Sequence, residues 1–183
     1  MFLEPATLSI IIAKLRGGKL RNLENVHMEG IVLLFLSALT QASLSLAKRF
    51  EVEELYIFLE DYFIYVMVLS YTLLLVAIIL NIEKNYMKVL FIGVMLNAAV
   101  IAANEGKMPV SMTGISGIHQ ESVIPERDSD IKHIGVNHNT KLVYLADIIL
   151  IPRPYPLPKI LSIGDVFIMA GVFLFFQKEM KLR

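Results

Sequence analysis

Between Tyr62 and Leu80 the chain carries no formal charge. No other feature constrains the fold as much. A membrane-crossing helix needs roughly 20 consecutive, mainly apolar residues, and a run of this kind has few other homes. Three more runs approach it: Ile31 to Ala47, Val89 to Ala103 and Ile160 to Gln177. A fifth, Phe2 to Leu15, is short and carries Glu4 and Pro5. It is read as a span supported by its neighbours, and not as a cleavable signal peptide, because Lys14 and Arg16 follow the apolar stretch instead of preceding it. Composition agrees. The 183 residues are 56% hydrophobic and 19% charged, against about 45–50% and about 25% in an ordinary soluble domain.

The pattern predicts an all-α fold, a polytopic transmembrane helix bundle of about five membrane segments. Residues 1–103 hold the first four, at about 2–15, 31–47, 62–80 and 89–103. Residues 104–159 form a long irregular extracytoplasmic loop, and 160–183 supply the fifth segment and a basic tail. Within the loop, 142–151 (LVYLADIILI) is apolar but too short to span; it reads as a strand or an interfacial or re-entrant piece. Residues 152–158 place prolines at alternate positions, which hold a chain extended and forbid a helix. They are expected to form a stiff strut leading to the last helix.

Orientation follows from the basic residues. Lys14, Arg16, Lys19 and Arg21, then Lys84 and Lys88, then Lys178, Lys181 and Arg183 share one side if all five segments span. Lys/Arg excess marks the cytoplasmic face. The expected location is therefore a bacterial plasma membrane, with the N-terminus outside and the C-terminus cytoplasmic.

Several function classes fall away. The formal net charge is zero, so nothing suggests a nucleic-acid partner. Cysteine is absent, which removes disulfides, thiolate catalysis and cysteine metal sites. Three histidines (His119, His133 and His138) share the loop with Glu121, Asp128 and Asp130, but their spacing fits no standard metal site. No metal or other cofactor is expected. Arg16, Lys19 and Arg21 surround Gly17 and Gly18 without completing a phosphate-binding loop, so they are assigned to anionic lipid head groups.

The sharpest feature is LSIGD, residues 161–165. An acid at the end of an apolar helix is costly against lipid and is a functional candidate by default. Ser162 and Asp165 also have capping-box spacing. A second acid, Asp147, makes a possible carboxylate pair with Asp165, able to act as general acid and base on a water. Gln41 and Asn97 lie within spans, where amides usually join helices. Asn97, Asn104, Glu105 and Ser111 are nominated as ligand or partner contacts. Alanines four apart (Ala38 with Ala42, Ala98 with Ala102, Ala99 with Ala103) suggest close helix packing.

RGGKLRNLENV, NAAVIAANEGKMPVS, LADII and LSIGD together resemble an uncharacterised bacterial family of small polytopic membrane proteins, a domain of unknown function. The resemblance covers nearly the whole chain and implies a plasma-membrane location but no activity. The last third alone resembles the end of lipoprotein signal peptidases, which are membrane aspartyl proteases. That likeness implies that Asp165 is a catalytic acid. The first-acid motif of those enzymes, Asn-x-x-Asp-Arg, is missing, since Asn97 is followed by Ala98, Ala99 and Val100.

Three functions remain. The first is a non-catalytic membrane component that binds a protein or lipid through its outer loop. The second is an intramembrane aspartyl hydrolase at the outer leaflet using Asp147 and Asp165. The third is a small transporter or channel subunit, expected as a homo-oligomer, for which Gln41, Thr72 and Asn97 supply few polar groups. Because the chain has no cysteine, a single cysteine at Gln120 reports orientation directly. Labelling by a membrane-impermeant maleimide from outside is expected; labelling from the cytoplasmic side only would reverse the orientation.

Overall fold

The computed structural model of the chain describes residues 3–111, 132–152, 154–155 and 159–181. These are mostly helical. Helix α1 is Leu3–Leu15, α2 Ile31–Arg49, α3 Glu53–Asp61, α4 Phe63–Ile79, α5 Asn85–Ala103 and α6 Ile163–Glu179. Pro5 falls in the first turn of α1, where its missing N–H is not needed. Glu53 and Glu54 start α3 and suit its dipole. α5 ends where Glu105 and Gly106 take left-handed conformations, which stop a helix. α6 opens with a complete capping box between Ser162 and Asp165.

The helices pack in the order α1, α6, α5, α4, α2. At the centre, α5 and α6 approach so closely that no side chain fits between them. A Cβ on Gly93 would lie 2.6 Å from the Gly164 carbonyl oxygen, and one on Gly164 would lie 2.0 Å from Asn97 Oδ1. Gly171 meets Leu90 in the same way, at 2.6 Å. The expected alanine pairs do not play this part: Ala38, Ala99 and Ala102 are exposed. Glycine spaced along α5 and α6 gives closer approach than alanine because it removes the Cβ altogether. α2 meets α4 through Ser37 and Ser70, whose hydroxyls lie 3.1 Å apart. α1 meets α6 through Ser9, whose hydroxyl donates to the Phe173 carbonyl at 2.9 Å. Asn81 clamps the entry to α2, donating to the Glu29 carbonyl and accepting from the Glu29 N–H.

Polar groups are buried alongside the apolar core, and large apolar side chains face outward. Ser9, Ser37, Ser70, Asn97, Ser162 and Asp165 are buried, while Phe35 is 70% exposed and Tyr65 68%.

The loop after α5 is less irregular than expected. Strand β1 (Met108–Val110) pairs in parallel with β2 (His133–Gly135), and Val110 bridges to Asp147. Strand β3 (Ile149–Ile151) pairs antiparallel with β4 (Lys159–Leu161). The apolar piece 142–151 thus divides into a 3-10 turn at Val143–Leu145 and a strand. Of the proline segment expected as a strut, residues 153 and 156–158 lie outside the described residues; the strands on either side of it are the antiparallel pair β3 and β4.

Helix length does not deliver five spans. Among the described residues, α5 alone is long and apolar enough to cross a membrane, and α3 with α4 passes only as a pair bent by 79°. α4 and α6 have 17 residues each, about 26 Å at 1.5 Å per residue, against about 30 Å of hydrocarbon. α1 is shorter, and α2 is uniformly apolar only over Ile31–Ser43.

Gly93→Ala and Gly164→Ala are each expected to lower stability by about 1–3 kcal/mol through overpacking. Gly135→Ala, where a Cβ meets nothing within 4 Å, is expected to be neutral. Thermal unfolding of the purified variants checks this; equal melting temperatures would refute the close contact.

Candidate functional site

The α5–α6 crossing carries a closed set of hydrogen bonds. Ser162 Oγ donates to Asn97 Oδ1 at 2.9 Å. Asn97 Nδ2 donates to Asp165 Oδ1 at 2.9 Å. The Asp165 N–H donates to Ser162 Oγ at 2.9 Å, and the Ser162 N–H donates to Asp165 Oδ2 at 3.2 Å. The local part follows from the Ser-x-x-Asp spacing. The long-range part needs Asn97, one turn after Gly93, to face the glycine-lined start of α6. Each side-chain oxygen of Asp165 therefore has a donor.

Asp147 differs. Its backbone is locked on β1: its N–H donates to the Pro109 carbonyl at 2.9 Å, and its carbonyl accepts from the Ser111 N–H at 2.8 Å. The side chain is only 4% exposed, yet Oδ1 has no hydrogen-bond partner among the described residues. Oδ2 lies 3.9 Å from His133 Nε2, too far for a hydrogen bond. Burial, and then the charge of Asp165, push the Asp147 carboxyl up to about 7.

Both acids line one cavity of about 360 Å³ between α2, α4, α5, α6 and the β cap. Its walls are helical stripes: Met67, Tyr71, Leu74 and Ile78 on α4, and Met87, Leu90, Val94, Asn97 and Ile101 on α5. Gln41, Lys132 and His133 close the end near Asp147. Lys132 Nζ donates to the Gln41 carbonyl at 2.9 Å.

The nominated residues thus separate. Asp147, Asp165 and Asn97 share the cavity. Asn104 holds the cap loop, donating to the Lys141 carbonyl and accepting from the Lys141 N–H, both at 2.9 Å. Glu105 is exposed and lines a shallow depression with Glu60, Asp61 and Lys107. Ser111 meets the site through its backbone N–H, which donates to the Asp147 carbonyl. Arg16, Lys19 and Arg21 are exposed at the opposite end, where the Lys19 N–H bonds the Met180 carbonyl and Arg16 bonds Gln177. His119, Glu121, Asp128 and Asp130 lie outside the described residues. Among the described residues no three His, Asp or Glu side chains converge to hold a metal. Sequence reading missed His133, Lys132 and Tyr71 as cavity residues. Only Tyr71 had a signal, its place in the stripe Met67-Tyr71-Leu74-Ile78.

The profile of a family of unknown function, DUF5317, matches residues 25–177. An uncharacterised protein of Thermotoga maritima is 31% identical over 108 residues, which is 59% of this chain and 60% of that protein. No solved structure matches.

The elevated Asp147 carboxyl carries a pH signature. A group whose pKa is higher folded than unfolded stabilises fully below its unfolded value, here about 4, and that contribution is lost as pH rises through about 7. The groups facing Asp147 are Asp165, His133, Lys132 and Tyr71. Asp147→Asn is expected to reduce the loss of stability between pH 5 and pH 8 by about 2 kcal/mol, read from unfolding at each pH. An unchanged pH profile would show that Asp147 ionises normally.

Proposed function

We propose, from the premise that this chain belongs to the DUF5317 family of unknown function, that it is a multi-pass protein of the bacterial plasma membrane. Its N-terminus lies outside and its C-terminus in the cytoplasm. It acts as a non-catalytic component that binds a lipid-like molecule in the cavity beneath the β cap.

The observation that carries this reading is the apolar exterior. Leu8, Phe35, Leu69, Ile92 and Leu174, from five different helices, are each more than two-fifths exposed. Serines, Asn97 and Asp165 are buried among the apolar core residues and bond across helices. Water would favour the opposite arrangement, whereas a bilayer solvates apolar side chains and drives polar ones inward. Short helices are compatible with it, because neighbours and local bilayer thinning accommodate mismatch at modest cost. The cavity wall is apolar along most of its length, which suits a hydrocarbon chain better than an ion or polar solute.

A second reading, the aspartyl hydrolase, is favoured by one observation: Asp147 and Asp165 line the same cavity. Against it, Asp165 already accepts from Asn97 and from the Ser162 N–H, so only Asp147 is available to activate water.

Alkaline carbonate washing of source membranes tests the first claim; retention in the pellet is expected, and release into the supernatant would refute membrane integration. Native mass spectrometry after mild solubilisation tests the second. A co-purifying lipid is expected for a binding component. Peptide cleavage that disappears in both Asp147→Asn and Asp165→Asn would instead establish the hydrolase.

A further inference from the structure

The cavity is elongated. On α5 its wall runs from Met87 to Ile101, about 21 Å at 1.5 Å per residue. Its volume of about 360 Å³ falls within the range of small-molecule pockets, about 300–1,000 Å³. The far end, around Met28, Leu34 and Ile78, is apolar.

The near end has one unmet demand. Asn97 uses its amide oxygen and its amide N–H on Ser162 and Asp165, and both Asp165 oxygens have donors. Among the described residues Asp147 Oδ1 is buried with no donor. A cation beside this carboxyl favours its ionised form, which only accepts hydrogen bonds, so a cationic ligand that completes the site also supplies the donor. A cationic donor makes the stronger bond. An anionic head would face both Asp147 and Asp165. Lys132 is turned to the Gln41 carbonyl, and His133 approaches the other oxygen, Oδ2.

We infer that the cavity binds an amphiphile with a protonated amine head, its ammonium on Asp147 Oδ1 and its alkyl tail lying along α4 and α5. This rests on the reading of the cavity as a lipid-like site and adds the chemical class of the ligand.

The test uses the full chain in phosphatidylcholine nanodiscs, with dodecylamine, dodecanol and dodecanoate as probes and unfolding followed by tyrosine fluorescence. Empty nanodiscs correct for partitioning. Dodecylamine is expected to raise the melting temperature with at least about tenfold higher apparent affinity than dodecanoate, as a charged hydrogen bond implies. Asp147→Asn is expected to lower dodecylamine affinity by about tenfold or more and to leave dodecanol unchanged. Val94→Phe and Leu34→Phe, which fill the cavity from opposite walls, are expected to abolish the effect; their ligand-free melting curves establish that they fold. If dodecanol or dodecanoate binds as tightly as dodecylamine, or Asp147→Asn changes nothing, the amine assignment falls while sensitivity to the filling variants preserves the cavity. If the effect survives in both folded filling variants, the cavity reading itself fails and the probes act elsewhere.

Discussion

The hydrogen-bond ring of Asn97, Ser162 and Asp165 is the constraint on which the rest of this structure depends. It can close only because Gly93 and Gly164 let the backbones of α5 and α6 touch. The ring in turn gives every buried polar atom of that crossing a partner, which a low-dielectric interior demands. α1 and α4 then pack on this pair, α2 packs on α4, and the cap is joined to α6 through β4. Loosening the crossing would leave a carboxylate and an amide unpaired at once.

The same ring separates the two acids chemically. Asp165 spends both oxygens on structure: it caps its own helix and ties that helix to α5. Asp147 is held by its backbone on β1 and receives no donor at Oδ1. Two aspartates that look equivalent as letters therefore have different capacities. One is a fastener, and the other keeps a buried oxygen without a donor among the described residues. Burial beside a second carboxylate holds Asp147 protonated to higher pH than usual.

Much of the helical scaffold was legible. The apolar runs at 31–47, 62–80 and 89–103 lie within a few residues of α2, α4 and α5, because charge-free runs of that length are too long for strands and read as helices. The capping box at Ser162 and Asp165 was legible because its partners lie three residues apart. The small-residue contact was misread. Alanine pairs carry the right spacing, yet the closest approach uses Gly93, Gly164 and Gly171. Spacing identifies a face of a helix but not which face meets a neighbour.

The helical segments and the local cap of α6 are written in the sequence, because they depend on interactions within a few residues. That Asn97 reaches Ser162 and Asp165, 65 and 68 positions away, is a product of the folded packing. So are the antiparallel pairing of β3 with β4 and the placement of Asp147 in the cavity wall with Glu105 outside it. Those outcomes depend on the relative placement of α5, α6 and the cap, which is set by packing complementarity between distant segments. No periodicity within any one segment records it.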